Sequence, residues 1–337
     1  MTTLYLIRHA EAEGNIFRRL HGQYNSFITP NGKKQIEALK KRFEDVPIDA
    51  VYASDLYRTC LTSTAIYVPK GLALHKEPRL RELNCGVWED LPFGYCAHID
   101  PERNYAFSHD PRHWKVEGRE PFAVYTGRFL EAMMEIARRH EGQSVALFSH
   151  GMVMRGVLQR LFFPEKDNLG HSENTAVTKL LFDGENFTLE YLNDDSHIPY
   201  EISTLGKQQW WRGDPKKDFN MWYRDATEED APLLESLGCP MEQGVRVAML
   251  TDKATGAVFT RALNEETQEL VHLALLPEHR GTGLSAQLLG EAVSMGRSTG
   301  RKFLRLGIQP DCPAANALFE TYGFENGLLP IEPVFEE

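Results

Sequence analysis

The chain has 337 residues, 42% of them hydrophobic and 25% charged, and a formal net charge of −11. That length exceeds one ordinary core and suits two, and the composition excludes a chiefly disordered chain. The acidic balance excludes nonspecific nucleic-acid binding, which needs clustered positive charge, but leaves room for a locally basic pocket that takes a small anion.

From the N-terminus, residues 4–7 form a short apolar run expected of a buried parallel strand. The Thr29-Pro30-Asn31-Gly32 turn opens a helix with Ile36, Leu39 and Phe43 on one face. Residues 50–53 read as a second strand and 56–67 as a helix, despite β-branched residues. Residues 120–140 carry Leu130, Met133, Met134 and Ala137 at helical spacing. A strand at 144–148 and a helix at 152–162 follow, then two strands around the Asp183-Gly184-Glu185-Asn186 turn. This pattern predicts an α/β domain with a mostly parallel sheet over residues 1–205.

Residues 206–220 are polar and hold Trp210, Trp211, Gly213 and Pro215, as expected of a linker. A second α/β domain is expected over residues 221–337. It opens on a helix start with Thr227 as N-cap and Asp230 three residues on. Strands are predicted at 245–250, 257–262, 270–276 and 303–308, and helices at 284–298 and 314–322.

The cysteines, Cys60, Cys85, Cys96, Cys239 and Cys312, are odd in number and lack C-x-x-C spacing, so neither a disulfide scaffold nor a zinc ribbon is expected. The first apolar run meets Arg8 too early for a signal peptide, and no apolar stretch reaches the ~18 residues of a membrane span. Cytoplasmic residence and no membrane partner are the expectations.

Arg8 and His9 stand where the first predicted strand ends, and Ser149, His150 and Gly151 where a later one ends. In open α/β sheets, sites form outside the carboxyl ends of strands, so both histidines are expected to face one crevice. Arg58 lies just beyond a third strand. The chemistry these residues suit is phosphoryl transfer, whose loose transition state spreads negative charge over three oxygens. Guanidiniums bind phosphate in bidentate fashion, a neutral imidazole is a competent nucleophile, and a carboxylic acid protonates the leaving alkoxide. Taken singly, a strand-end histidine is more often structural than catalytic.

The motif order adds to this. Leu6-Ile7-Arg8-His9-Ala10-Glu11, Ser54-Asp55-Leu56-Tyr57-Arg58 followed by Thr62, Leu80-Arg81-Glu82-Leu83 followed by Gly86-Val87-Trp88-Glu89, and Ser149-His150-Gly151 together resemble the histidine phosphatase, or phosphoglycerate mutase-like, superfamily. Ala10 stands where glycine is usual. The resemblance spans roughly residues 1–200 and implies a three-layer α/β/α fold. It implies His9 as nucleophile, Arg8 and Arg58 as phosphate clamp, His150 as a further phosphate ligand, Glu82 as acid and Asn15 as an auxiliary substrate contact. It implies no cofactor for this half and a small phosphorylated substrate. Hydrolysis is favoured over a phosphoglycerate-type mutase reaction, because Cys85-Gly86-Val87-Trp88-Glu89-Asp90 looks closer to the phosphatase branch. The stretch from 92 to 121, rich in basic and aromatic residues, is either a wall for an anionic substrate or a solvated cap.

In the second half, residues 273–286 read as a strand, a turn and a helix start. Glycines at such a turn let backbone approach a ligand, and the helix N-terminus favours phosphate. Arg280-Gly281-Thr282-Gly283-Leu284-Ser285 resembles the acetyl-CoA pyrophosphate loop of GNAT-type N-acetyltransferases, as do Tyr223-Arg224-Asp225-Ala226-Thr227 and Tyr322-Gly323-Phe324. The resemblance implies a GNAT-like α/β fold that binds acetyl-CoA or CoA. Phe319 and Cys312 stand where the family often has a proton-donating tyrosine and an asparagine, which puts acetyl transfer in doubt. The reading that follows is a metal-independent phosphomonoesterase fused to a GNAT-like domain. The rival from another class is a coenzyme-A-responsive regulator with a subordinate phosphatase half.

Overall fold

The computed structural model describes residues 1–165, 169–208, 219–307 and 319–333. They form two compact units that interleave along the chain. The first comprises Met1–Ala12, His21–Glu89 and Tyr105–Trp211, and the second Glu13–Leu20, Asp90–Asn104 and Arg212–Glu337.

The first unit is built on a six-stranded sheet of β1 (Thr2–Arg8), β2 (Ala50–Ala53), β3 (Leu74–Lys76), β4 (Ser144–Ser149), β5 (Val177–Phe182) and β6 (Phe187–Asp194). The order is β3-β2-β4-β1-β5-β6. The first four strands run parallel, and the β5–β6 hairpin adds an antiparallel edge. β2 and β4 are almost wholly buried, as the unbroken apolar runs predict. Helices α2 (Pro30–Arg42), α3 (Tyr57–Lys70), α6 (Phe122–Arg139), α7 (Gly151–Phe162) and the one-turn α8 (Thr204–Lys207) belong here. The Thr29 hydroxyl caps α2 by accepting from the Gly32 N–H at 2.9 Å. A Cβ at Gly32 would stand 2.2 Å from the Glu11 carbonyl, so this turn requires glycine. On α6 the buried stripe is Tyr125, Phe129, Met133 and Ile136, with Leu130 only half-buried. Of the expected stripe, Met133 and Ala137 are buried while Leu130 and Met134 are half-buried, and the bulkier Phe129 takes the buried place beside Leu130.

The second unit has a six-stranded sheet in the order β12-β11-β10-β9-β8-β7. Its strands are β7 (Trp222–Asp225), β8 (Val245–Leu250), β9 (Lys253–Ala262), β10 (Thr267–Leu275), β11 (Phe303–Leu306) and β12 (Leu328–Pro330). Only β10 and β11 pair in parallel. The helices are α1 (Glu13–Phe17), α4 (Phe93–Ile99), α9 (Ala231–Leu237) and α10 (Leu284–Ser298), while α5 (Pro101–His109) runs across the boundary at residue 104. Thr227 and Asp230 form the expected capping box, which opens a single 3-10 turn ahead of α9. α10 buries Leu284, Leu288, Leu289, Ala292 and Val293. Phe17, 4% exposed, enters that core from α1, and a Cβ on Gly290 would stand 2.5 Å from it.

Arg19, 6% exposed, closes this unit electrostatically. It pairs with Asp90 at 2.8 Å and Glu291 at 2.9 Å, and donates to Ser294 Oγ, whose hydroxyl in turn donates to Asp90 at 2.8 Å. Most of the helix expected at 314–322 lies outside the described residues, as do Trp210, Trp211 and Cys312. No described helix is long and apolar enough to cross a membrane.

Candidate active site

Parallel register brings three strand ends to one edge of the first sheet. Arg8 pairs with Ser149 across β1 and β4, the His9 N–H donates to the Ser149 carbonyl at 2.9 Å, and the Ser54 N–H to the Phe148 carbonyl at 3.0 Å. His9 and His150 then leave their strands together, with ring centroids 5.3 Å apart. The crevice lies where the order jumps from β1 to β4, as expected for open α/β sheets.

His9 is 3% exposed, and its Nδ1 lies 2.7 Å from the Ala10 carbonyl. A carbonyl only accepts, so Nδ1 carries the proton and Nε2 keeps its lone pair. Burial, then the charges of Arg58 and Arg8, hold this imidazole well below the ordinary histidine pKa. The Asn174 amide donates to the His9 carbonyl at 2.9 Å, and the Ala10 N–H to Thr62 Oγ1 at 2.9 Å, so the backbone on both sides is anchored.

Arg58 is wholly buried. Its Nε donates to His150 Nδ1 at 3.1 Å, and its two terminal nitrogens donate to the Tyr24 and Gly22 carbonyls at 2.9 and 2.8 Å. Accepting on Nδ1 leaves His150 protonated at Nε2, which donates to Ser54 Oγ at 3.0 Å. Both ring nitrogens of His150, expected as a phosphate contact, are therefore engaged, and its immediate effect is to aim Arg58. Burial and Arg58 push the His150 pKa well down, and burial brings Arg58 to about 10. Arg8 donates through Nη1 to the Ser172 carbonyl, while its buried Nε has no partner among the described residues. Such an unpaired guanidinium donor is costly unless an anion completes it.

Glu82 is 8% exposed at the start of α7. Its carboxylate accepts from the backbone N–H groups of Leu83, Met152 and Val153 at 3.0, 3.0 and 2.7 Å. Three of about four lone-pair positions are thus taken, leaving one that can hold a proton for a leaving group. Two supports of this loop, Arg128 and Glu89, were given no role by the sequence, the latter appearing only as the end of the Gly86-Val87-Trp88-Glu89 motif. Arg128 donates to the Arg79, Arg81 and Glu82 carbonyls at 2.7, 2.8 and 2.9 Å and pairs with Glu120 at 2.7 Å. Glu89 accepts from the Gln23, Tyr24 and Cys85 N–H groups, and a Cβ on Gly22, whose φ is +43°, would stand 1.7 Å from its Oε1. His21, also missed, lies with its ring centroid 6.1 Å from that of His9. Asn15 sits on α1, in the second unit.

The two buried imidazoles set a stability trend. An unfolded chain takes up protons on histidine near pH 6.5. The folded chain resists uptake at His9 and His150. The unfolded state therefore binds more protons as pH falls through about 6.5, and stability falls there, levelling only below the folded values. Urea midpoints should be lower at pH 5.5 than at 7.5, and His150→Gln should shrink the difference. A midpoint that rises toward pH 5.5 contradicts this account.

In the second unit, Gly281 and Gly283 have φ of +73° and +84°, and a Cβ on either would meet open space. Arg280, Gly281, Thr282 and Gly283 are exposed, Leu284 is buried and Ser285 half-buried. The Arg280 Nε donates to the Leu275 carbonyl at 3.0 Å, and the Thr282 hydroxyl to the His279 carbonyl at 2.6 Å. No side chain caps α10, whose N-cap is Gly283. The donor set therefore fits a pyrophosphate. Phe319 is a core residue, 4% exposed and edge-on to Phe324 at 5.3 Å.

A family model described as histidine phosphatase superfamily (branch 1) matches residues 4–195, and one described as acetyltransferase (GNAT) family matches residues 189–324. The chain is 31% identical over 157 residues to phosphoserine phosphatase 1 of Hydrogenobacter thermophilus, covering 47% of this chain and 74% of that protein. It is 29% identical over 223 residues to metal-independent phosphoserine phosphatase of Arabidopsis thaliana, covering 64% and 90%. A solved structure, Bacillus stearothermophilus YhfR, superposes with a TM-score of 0.57 at 31% identity, covering 59% of this chain and all of that one.

Proposed function

Because the chain belongs to the histidine phosphatase superfamily, we propose that it hydrolyses small phosphate monoesters through a phosphohistidine on His9. The observation that carries this is the fixed tautomer of His9, with Nδ1 held by Ala10 and Nε2 free. In the first step Nε2 attacks phosphorus and the ester oxygen leaves, taking a proton from Glu82. In the second, Glu82 takes a proton from water, whose oxygen attacks the phosphohistidine and releases phosphate. Arg8 and Arg58 face the charge that builds on the phosphoryl oxygens, so no step requires a metal. Both curated relatives described above are named as phosphoserine phosphatases, which supports a small phosphorylated metabolite as substrate.

The test falls on Glu82. Alkyl phosphates have poor leaving groups that need its proton, and nitrophenyl phosphate does not. Glu82→Gln should cost alkyl esters roughly 10²–10⁴-fold in kcat/KM and nitrophenyl phosphate at least ten-fold less. Equal losses would assign Glu82 to structure alone.

For the second unit we propose CoA or acetyl-CoA binding at Arg280–Ser285, with backbone N–H groups of the turn facing the pyrophosphate. Bound acetyl-CoA would supply an activated acyl group, while Phe319 has no proton to give the departing thiolate. Binding stabilises the folded chain by mass action, by ~2.7 kcal/mol at a hundred times Kd. CoA should therefore raise the melting temperature of the full chain, and Gly283→Asp, which adds a carboxylate and a Cβ at a left-handed position, should remove the shift. No shift at millimolar CoA in the parent chain refutes this assignment.

A further inference from the structure

The segment at residues 172–175 meets the catalytic edge of the first unit at three places. The Arg8 guanidinium donates to the Ser172 carbonyl. The Asn174 side-chain amide donates to the His9 carbonyl at 2.9 Å, and the Thr175 N–H to that same carbonyl at 3.4 Å. The turn closes through the Ala176 N–H, which donates to the Glu173 carbonyl at 3.2 Å. Thr175 is wholly buried and has a φ of +61°. A left-handed backbone is a genuine outlier for a β-branched residue, and such strain persists only where the surroundings over-determine it.

What over-determines Thr175 is a directed chain of hydrogen bonds that starts away from the crevice. Arg42 donates through Nη1 to His197 Nδ1 at 3.0 Å and through Nη2 to the Asp194 carboxylate at 2.6 Å. An arginine only donates, so His197 accepts on Nδ1 and carries its proton on Nε2, which donates to Thr175 Oγ1 at 3.1 Å. The Thr175 hydroxyl donates in turn to the Asn174 carbonyl at 2.7 Å. Burial, then the Arg42 charge, brings the His197 pKa down to about 4, so at neutral pH the ring is an uncharged link.

The far end of this chain is the His9 carbonyl. That carbonyl belongs to the peptide joining His9 to Ala10, and the Ala10 carbonyl accepts from Nδ1 of the His9 ring. A swing of the peptide therefore swings Nε2. Arg8 is held separately, by the register of β1 against β4 and by its N–H on the Ala176 carbonyl at 3.2 Å. We infer that His197 is a positioning residue for phosphoryl transfer: through Thr175 it keeps residues 174–175 in the strained turn that aims His9 Nε2 at phosphorus. Glycine at 175 would take the same φ without strain and need no such support, so the strain is what makes the distant imidazole matter.

The inference rests on the phosphatase reading, and the parent chain separates the two. The probe is nitrophenyl phosphate, whose leaving group asks little of Glu82. His197→Ala in the full chain should lower kcat about 30–100-fold and leave KM within about three-fold, as expected when a nucleophile is misaimed while phosphate still binds. His197→Gln, whose amide can accept from Arg42 and donate to Thr175, should recover most of the loss. Thr175→Val, which keeps the shape and breaks the chain at its middle, should lose about as much as His197→Ala. Thr175→Gly should cost about three-fold alone, and His197→Ala added to it no more than about two-fold further, because glycine holds the turn unaided. Parental kcat in His197→Ala, a loss confined to KM, or the full loss persisting beside Thr175→Gly would each overturn the positioning role. A parent chain that neither hydrolyses nitrophenyl phosphate nor traps phosphate on His9 sinks the phosphatase reading first, and this inference with it.

Discussion

Replacing His9 with alanine should lower phosphatase turnover by a factor on the order of 10⁴ or more, with the chain still folded. Of the two strand-end histidines, His9 is the one that keeps a free imidazole lone pair, because both nitrogens of His150 are engaged with Arg58 and Ser54. Water cannot take over easily, since Arg8, Arg58 and Glu82 are placed for a phosphoryl group on His9 rather than for a hydroxide. Quenching the parent enzyme during turnover of a labelled ester should trap phosphate in an acid-labile, base-stable linkage, and the His9→Ala chain should trap none. The same imidazole sets the acid limb of the rate profile. Its pKa is held well below the ordinary value by burial and two guanidiniums, so the nucleophile stays neutral and kcat/KM should not fall at pH 6.5. A variant that keeps near-parental turnover removes the mechanism, and a limb at 6.5 removes the electrostatic account of it.

Arg19→Ala should destabilise the second unit by about 3–5 kcal/mol, a large share of the roughly 5–15 kcal/mol that holds a domain folded. The substitution removes the guanidinium from the partly buried carboxylate of Asp90 and the buried one of Glu291; among the described residues, Ser294 then remains on the former and Arg246, 3.7 Å away, on the latter. The cost is that of an uncompensated buried charge rather than of a lost contact. The triple change Arg19→Met, Asp90→Asn, Glu291→Gln should therefore recover most of it. Urea unfolding followed by intrinsic tryptophan fluorescence reads this, since Trp222 lies in the same unit, stacked on His98 at 3.8 Å. By the same argument a fragment beginning at residue 212 should fail to fold, lacking both Arg19 and the Phe17 side chain of its core. A cooperatively folded fragment, or an Arg19→Ala chain within 1 kcal/mol of its parent, contradicts this.

The catalytic constellation was legible because strand-end polar residues after apolar runs are a local signal: Arg8-His9, Ser54 and His150 each follow a buried strand directly. The glycines of residues 281–283 announce a left-handed turn in the same local way. What holds these groups was not legible. Arg128 looks like any surface arginine on an amphipathic helix until the Glu82 loop folds under it. Glu89 and Gly22 read as separate loop residues, although the absent Cβ of one is the space of the other. Helical spacing located α6, but the choice between Phe129 and Leu130 depends on the volume the sheet offers, which periodicity does not contain. Nor does composition distinguish residues 13–20 and 90–104 from their neighbours, so their membership of the second unit appears only in three dimensions.

That interleaving has a consequence for synthesis. Arg19 and Glu291 are 272 positions apart. At about 5–20 residues per second, Arg19 is made roughly 14–54 s before its second carboxylate partner. Through that interval Phe17 has no α10 to cover it, and a nascent chain presents an apolar side chain beside an unpaired arginine to whatever is nearby. Chaperone demand and aggregation during translation should then depend on how soon α10 follows. Lesions in the last third of the gene would lower the amount of protein in the cell before they touch the rate of the molecules that mature.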